Sequence, residues 1–188
     1  MTPPNSSYLK CNFMLYLRSG ILFICMFVNA MFFGSIVFMS GLLPFSVSYR
    51  ISKLWARINS WLTKLICQLD YKVEGLENLP AGRSAVILSK HQSAWETITF
   101  LNIFPPHVFV LKRELLWVPL WGWGLSVMKP IAINRNNQKT ALRTLLKQGT
   151  ERLKEGLSVI IFPEGTRVAP GEKRKFNAGG CLLAQISG

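Results

Sequence analysis

The chain has 188 residues, of which 49% are hydrophobic and 16% charged, enough apolar material for one modest folded domain plus a membrane segment and too much for a disordered chain. Twenty-two Lys and Arg against nine Asp and Glu give a formal net charge of +13, so the folded surface must attract something anionic: phospholipid headgroups, nucleic acid or a phosphorylated small molecule. The four cysteines, at 11, 25, 67 and 181, show no C-x-x-C spacing and no neighbouring histidine, which points away from a metal site and fits reduced thiols in a reducing compartment.

Residues 1–18 form an N-terminal tail. Residues 19–49 then contain no Lys, Arg, Asp or Glu, whereas a bilayer core needs only about 20 residues of helix. Asn29, Gly34, Ser35, Gly41 and Pro44 interrupt the stretch, leaving open one long tilted helix or two shorter helices that enter and return. A secretory signal is the rival reading, with Lys10 and Arg18 before the apolar run and Val28-Asn29-Ala30 as a cleavage site, but the run continues well past Ala30, as an uncleaved anchor does. Basic residues are denser after the segment (Arg50, Lys53, Arg57, Lys64) than before it, which places the main domain on the cytoplasmic side of a cell membrane.

Residues 50–70 form an amphipathic helix. Ile51, Leu54, Trp55, Ile58, Trp61, Leu62, Leu65, Ile66 and Leu69 recur at steps of three and four, with Lys53, Arg57, Ser60, Lys64 and Gln68 elsewhere. The stripe fits a helix in the headgroup layer and fits packing on a core equally well.

Residues 71–188 change pattern, with short apolar runs at 85–88, 108–111, 131–133 and 157–162 that read as buried strands. Gln138 to Lys154 is a helix with Ala141, Leu142, Leu145, Leu146 and Leu153 on one side and Asn136 or Asn137 as N-cap. Strand, helix, strand implies an α/β domain with a mixed, mainly parallel sheet flanked by helices. Trp117, Trp121 and Trp123, in an aromatic segment between two of the strands, fit an acyl-chain groove, a membrane interface or plain core filling.

The chemistry-bearing residues follow strand ends. His91 lies between the run at 85–88 and a helix, in a strand-to-helix turn where side chains face a cleft. Along an uninterrupted helix His91 and Glu96 would point about 140° apart, so a turn ending at Ser93, with Ser93 as N-cap and Glu96 as third helical residue, is needed to bring them together. Ser93-x-x-Glu96 is also a capping-box sequence, so Glu96 has a structural role available beside that of orienting His91 as a general base. Phe162-Pro163-Glu164-Gly165-Thr166-Arg167 ends another strand in a turn whose glycine lets backbone approach a phosphate, with Thr166 and Arg167 as donors; an internal Glu164 to Arg167 ion pair is the plainer alternative. Arg135, at the end of the strand through Ile133, can offer a bidentate contact to the same anion.

On these blocks the chain resembles the 1-acyl-sn-glycerol-3-phosphate acyltransferases of the glycerolipid acyltransferase superfamily. The resemblance covers roughly residues 70 to 188: His91 and Glu96 match a His-x4-Asp block, Lys129 to Arg135 an Arg-ending strand, and Phe162 to Arg167 a Phe-Pro-Glu-Gly-Thr-Arg block. It implies acyl transfer from acyl-CoA or acyl-carrier protein to the sn-2 hydroxyl of lysophosphatidic acid, forming phosphatidic acid at a membrane, without a cofactor or metal and without nucleic acid. His91 and Glu96 would be catalytic, and Arg135, Glu164, Gly165, Thr166 and Arg167 would hold the substrate phosphate. Glutamate stands at 96 where the family has aspartate, and no counterpart of the family's fourth block, a proline-containing apolar strand, precedes Gly188, which implies a C-terminally truncated chain. Another lyso-lipid acceptor, or a non-enzymatic basic membrane protein supported by Lys173-Arg174-Lys175, are the rival functions.

Overall fold

The computed structural model describes residues 12–80 and 82–188; Lys10 and Cys11, and most of the N-terminal tail, lie outside the described residues. Helix α1 (Asn12–Met39) passes straight through Asn29, Gly34 and Ser35, so the uncharged stretch contains one long helix. Its 28 residues extend about 42 Å, more than the hydrocarbon core of a bilayer. Polar side chains inside it close on its own backbone: Asn29 Nδ2 donates to Cys25 O and Ser35 Oγ to Met31 O. A 3₁₀ turn (Ser40–Leu42) and Pro44 reverse the chain, and α2 (Phe45–Cys67) begins inside the uncharged stretch and packs back along α1.

The α2 stripe is divided, with Trp55 packed against the core and other apolar members turned outward. Ser48, Ser52, Ala56, Asn59 and Thr63 form the buried face, while Leu54, Trp61 and Leu65 stand out at 51%, 60% and 60% exposure. Small inward residues let the helices approach closely, and Ser40 Oγ and Ser48 Oγ pair at 2.8 Å across the turn. Helix α1 also carries outward apolar side chains, with Phe13, Tyr16 and Phe23 more than two-thirds exposed, and so many exposed large apolar residues mark an interaction surface.

Four strands follow: β1 (Val86–Leu88), β2 (His107–Lys112), β3 (Ile131–Ile133) and β4 (Ser158–Ile161). They lie in the order β1-β4-β2-β3, and each pairing is parallel, so the expected mixed sheet is a fully parallel one among the described residues. The connections are helical, with α3 (Trp95–Ile103) after β1, α4 (Trp121–Val127) before β3 and α5 (Gln138–Lys154) after β3; α6 (Gly179–Ser187) follows β4. Asn137 is the N-cap of α5, its Oδ1 accepting from Thr140 N at 3.0 Å.

Alternation along the strands separates two cores. Val108, Ile131, Val159 and Ile161 pack with Leu145 of α5 and Leu183 of α6 on one face. On the other, His107 meets Tyr49 of α2, while Tyr49 and Ala56 pack with Ile98 and Leu101 of α3. The α1–α2 hairpin and α5 therefore lie on opposite sides of the sheet. His107 is a buried packing residue at the starting edge of β2, with Nδ1 2.9 Å from Pro105 O and burial pushing its pKa down to about 4.

The short helix α4 docks on α1 through two glycines. A Cβ on Gly124 would lie 2.9 Å from Gly34 Cα, and one on Gly34 would lie 2.7 Å from Trp121 Cα, so backbone touches backbone at this crossing. Gly124→Ala is expected to destabilise the protein by about 1–3 kcal/mol, the range for overpacking a tight contact, read as a lowered thermal midpoint in detergent. An unchanged midpoint would show that the two helices separate freely.

Candidate active site

The three sequence blocks converge at the carboxyl ends of the parallel strands, where the connection order of an open α/β sheet leaves a crevice. His91 follows β1, Arg135 follows β3, and Glu164 to Arg167 follow β4. All six of these residues line one cavity of about 1010 Å³.

The backbone of His91 is held on both sides by the turn after β4. Its N–H donates to Glu164 Oε2 at 2.9 Å, and its carbonyl accepts from Val168 N at 2.8 Å. Glu164 is 3% exposed, and its other oxygen is 3.9 Å from Lys90 Nζ. The Glu164 carboxylate is directed at the His91 amide and Lys90, and the Glu164 to Arg167 ion pair that the sequence offered as an alternative does not form.

The imidazole of His91 stacks on Phe162, with centroids 4.0 Å apart and planes 20° from parallel; Phe162 is in turn stacked with Phe100 and Phe109. Nδ1 is shut off from solvent and lies 3.5 Å from Glu96 Oε2, an ion-pair separation longer than a good hydrogen bond. Nε2 makes no hydrogen bond and is not enclosed, so it is the nitrogen open to the cavity. Burial lowers the His91 pKa from the usual histidine value; Glu96 pulls it up, the nearby Arg167 charge pushes it further down, and Glu164 adds a smaller upward pull. A neutral imidazole at neutral pH is the result, the form a base requires.

Glu96 does cap its helix. Helix α3 starts at Trp95 with Ala94 as N-cap, so Glu96 is the second helical residue, one position earlier than the spacing predicts. Its carboxylate accepts from Gln92 N and Ser93 N at 3.2 and 3.1 Å, and Ser93 Oγ accepts from Trp95 N at 3.0 Å. The capping-box role and proximity to His91 Nδ1 therefore occur together, the cap fixing where the carboxylate stands.

Arg135 reaches across from β3, and its guanidinium donates to the Gly165 carbonyl. Gly165 has φ of +71°, a left-handed conformation that favours glycine, and its N–H closes the turn on Phe162 O at 3.0 Å. Asn177 fastens the turn from outside, donating from Nδ2 and N to Pro163 O at 3.0 and 2.8 Å. Thr166 and Arg167 are exposed at the cavity and in no ion pair among the described residues. Arg174 also lines the cavity, a contact that the sequence blocks do not contain and that only the return of the 169–177 loop creates.

Away from the polar end, the cavity runs between the sheet and the N-terminal hairpin. Phe33 and Val37 of α1, Trp55 of α2, Leu101 of α3, and Trp121 and Leu125 of α4 form this apolar arm. Of the three tryptophans, Trp121 is a groove residue, while Trp117 and Trp123 are exposed, Trp123 beside Phe38 of α1.

Comparison with known proteins agrees with this architecture. Residues 70–186 match the family model described as Acyltransferase. A 1-acyl-sn-glycerol-3-phosphate acyltransferase of Pseudomonas aeruginosa is 45% identical over 174 residues, covering 92% of this chain and 67% of that protein. The yeast Saccharomyces cerevisiae protein of the same name is 32% identical over 92% of this chain and 57% of its own length, and the chloroplastic Arabidopsis thaliana LPAT1 is 35% identical over 73% of this chain; the chain spans 37% of that relative. The crystal structure of the 1-acyl-sn-glycerophosphate (LPA) acyltransferase PlsC from Thermotoga maritima superposes with a TM-score of 0.72 at 24% identity, covering 93% of this chain and 70% of that one, which shows a shared fold. With the family model matching well over half its residues and a close relative matching nearly its whole length, the chain belongs to the acyltransferase family.

Proposed function

We propose that the chain transfers an acyl group from an acyl-CoA or acyl-carrier-protein thioester to the sn-2 hydroxyl of 1-acyl-sn-glycerol-3-phosphate, forming phosphatidic acid. The observation that carries this reading is the single cavity in which His91, Arg135 and Arg167 meet at one end and an apolar arm begins at the other. A lysophosphatidate has the matching shape: an anionic head, a hydroxyl beside it and a hydrocarbon tail. The names of the relatives point to the same acceptor.

In this mechanism His91 Nε2 takes the hydroxyl proton as the oxygen attacks the thioester carbonyl. The tetrahedral species expels the thiolate, which recovers the proton from the imidazolium, so no enzyme nucleophile enters the covalent sequence. Glu96 stabilises the transient imidazolium from 3.5 Å, and Phe162 holds the ring plane. Arg135, Thr166 and Arg167 hold the acceptor phosphate, which fixes the hydroxyl near the base. Gly165 serves by its backbone, and Glu164 by keeping His91 in place. The chemistry requires no cofactor beyond the thioester co-substrate. The outward apolar residues of α1 and α2 would lie in lipid, with the α/β domain on the cytoplasmic side of the cell membrane.

His91→Ala should lower turnover by at least about 10²-fold with the fold retained, measured with labelled oleoyl-CoA and lysophosphatidate. Near-normal turnover would remove the base assignment. Arg135→Ala and Arg167→Ala should chiefly raise the KM for lysophosphatidate, since each deletes a charge-assisted contact formed before chemistry; an unchanged acceptor KM in both would defeat the phosphate assignment. The acid limb of the kcat/KM profile should lie below the usual histidine range, because activity is lost only when pH falls through the lowered His91 pKa. Glu96→Gln removes a group that raises this pKa, so its residual activity should show the limb at still lower pH. A limb that moves upward would contradict the electrostatic role given to Glu96.

A further inference from the structure

The outer face of α5 is basic from end to end. Lys139, Arg143, Lys147 and Lys154 are all exposed, and at about 100° per residue they share the side opposite the buried Leu145 and Gly149. Among the described residues none of these four cations is in an ion pair; the nearby acids Glu151 and Glu155 flank the stripe, and Glu155 is engaged by Lys129 and Arg152. The 169–177 loop extends the same charge with Lys173, Arg174 and Lys175 against a single Glu172. Arg174, Gln138 and Leu142 line the active-site cavity, so the stripe begins at its mouth.

Sidedness distinguishes the partners that such a surface could attract. The exposed apolar residues of α1 and α2 lie on the opposite side of the sheet from α5, whose buried face packs on the Val108 and Val159 side. The outward apolar faces of the hairpin and the basic stripe therefore lie on different sides of the sheet. Length narrows the choice further: Lys139 to Lys154 spans about 22 Å of helix. Of α5 only the first two turns, from Gln138 to Leu145, line the cavity, joined by Arg174 of the loop. The outer turns have charge complementarity with a macromolecule.

We propose that the outer face of α5, centred on Arg143 and Lys147, is the docking surface for an acidic carrier protein that presents the acyl thioester to the cavity. This rests on the acyl-transfer reading above and names the donor for it. The carrier's acidic side lies along the stripe, and its thioester-bearing arm enters beside Arg174. Steering by such a surface raises encounter rates and is screened by salt.

The test compares one acyl chain on two donors, CoA and acyl carrier protein, with the full chain in detergent and with lysophosphatidate as acceptor. R143E/K147E should lower kcat/KM for the carrier-protein donor by about tenfold or more, leaving the acyl-CoA value within about twofold, with R143Q/K147Q intermediate. Raising salt from about 50 to about 300 mM should depress the wild-type carrier-protein rate more than the CoA rate. Binding to phosphatidylglycerol-containing vesicles should be unaffected by either double variant. Equal loss with both donors, no loss with either, or loss of vesicle binding in step with activity would overturn the docking surface. A wild type that uses acyl-CoA but not the carrier-protein donor would overturn it alone, whereas a wild type inactive with both would remove the acyl-transfer reading on which it rests.

Discussion

The pinning of His91 between Glu164 and Val168 is the constraint on which the site depends. Two strands distant in sequence, β1 and β4, are neighbours in the sheet, and the loops leaving them exchange hydrogen bonds in both directions. A buried carboxylate accepting a backbone N–H is a strong contact, worth about 1.5–3 kcal/mol for a charged partner. It places a catalytic-type imidazole without using any of that imidazole's own polar atoms. Both ring nitrogens stay available, one toward Glu96 and one toward the cavity.

The same economy of position appears at the other blocks. The capping hydrogen bonds of Glu96 use its two oxygens at the start of α3 and in doing so fix it beside Nδ1. Arg135 donates to Gly165 and thereby ties the end of β3 to the turn after β4. His91 and Arg135 are therefore each tied to the turn after β4, and the parallel sheet, with β4 inserted between β1 and β2, is what brings those ends together.

Much of this was readable from residues alone, for identifiable reasons. The strand runs and the bounds of α5 follow from local apolar patterning, and capping chemistry narrowed its N-cap to Asn136 or Asn137, of which the fold uses Asn137. His91, Arg135 and Arg167 were legible because each ends a strand, and a parallel sheet gathers such ends. The role of Glu164 was not legible: a carboxylate in a polar turn looks solvent-facing until its nonlocal partner, the His91 amide, is known. Nor was the inward face of α2, since a stripe of Leu and Trp at helical spacing has the same period whether it meets protein or lipid. Ser48, Ser52, Asn59 and Thr63 carried that information, as a small and polar stripe in register with the contact helix. The uncharged stretch likewise gave its length but not its path, because the reversal is made by Gly41 and Pro44 after an unbroken helix rather than at Gly34.

Phe33 and Val37 come from the longest apolar helix in the molecule, and Trp55 from the helix that follows it, yet all three are walls of the cavity that holds His91. The apolar hairpin and the cavity are consequently not separable parts. Deleting the hairpin would strip the apolar arm of one wall and open it to water, so the most hydrophobic piece of the chain is also a piece that closes the cavity around His91.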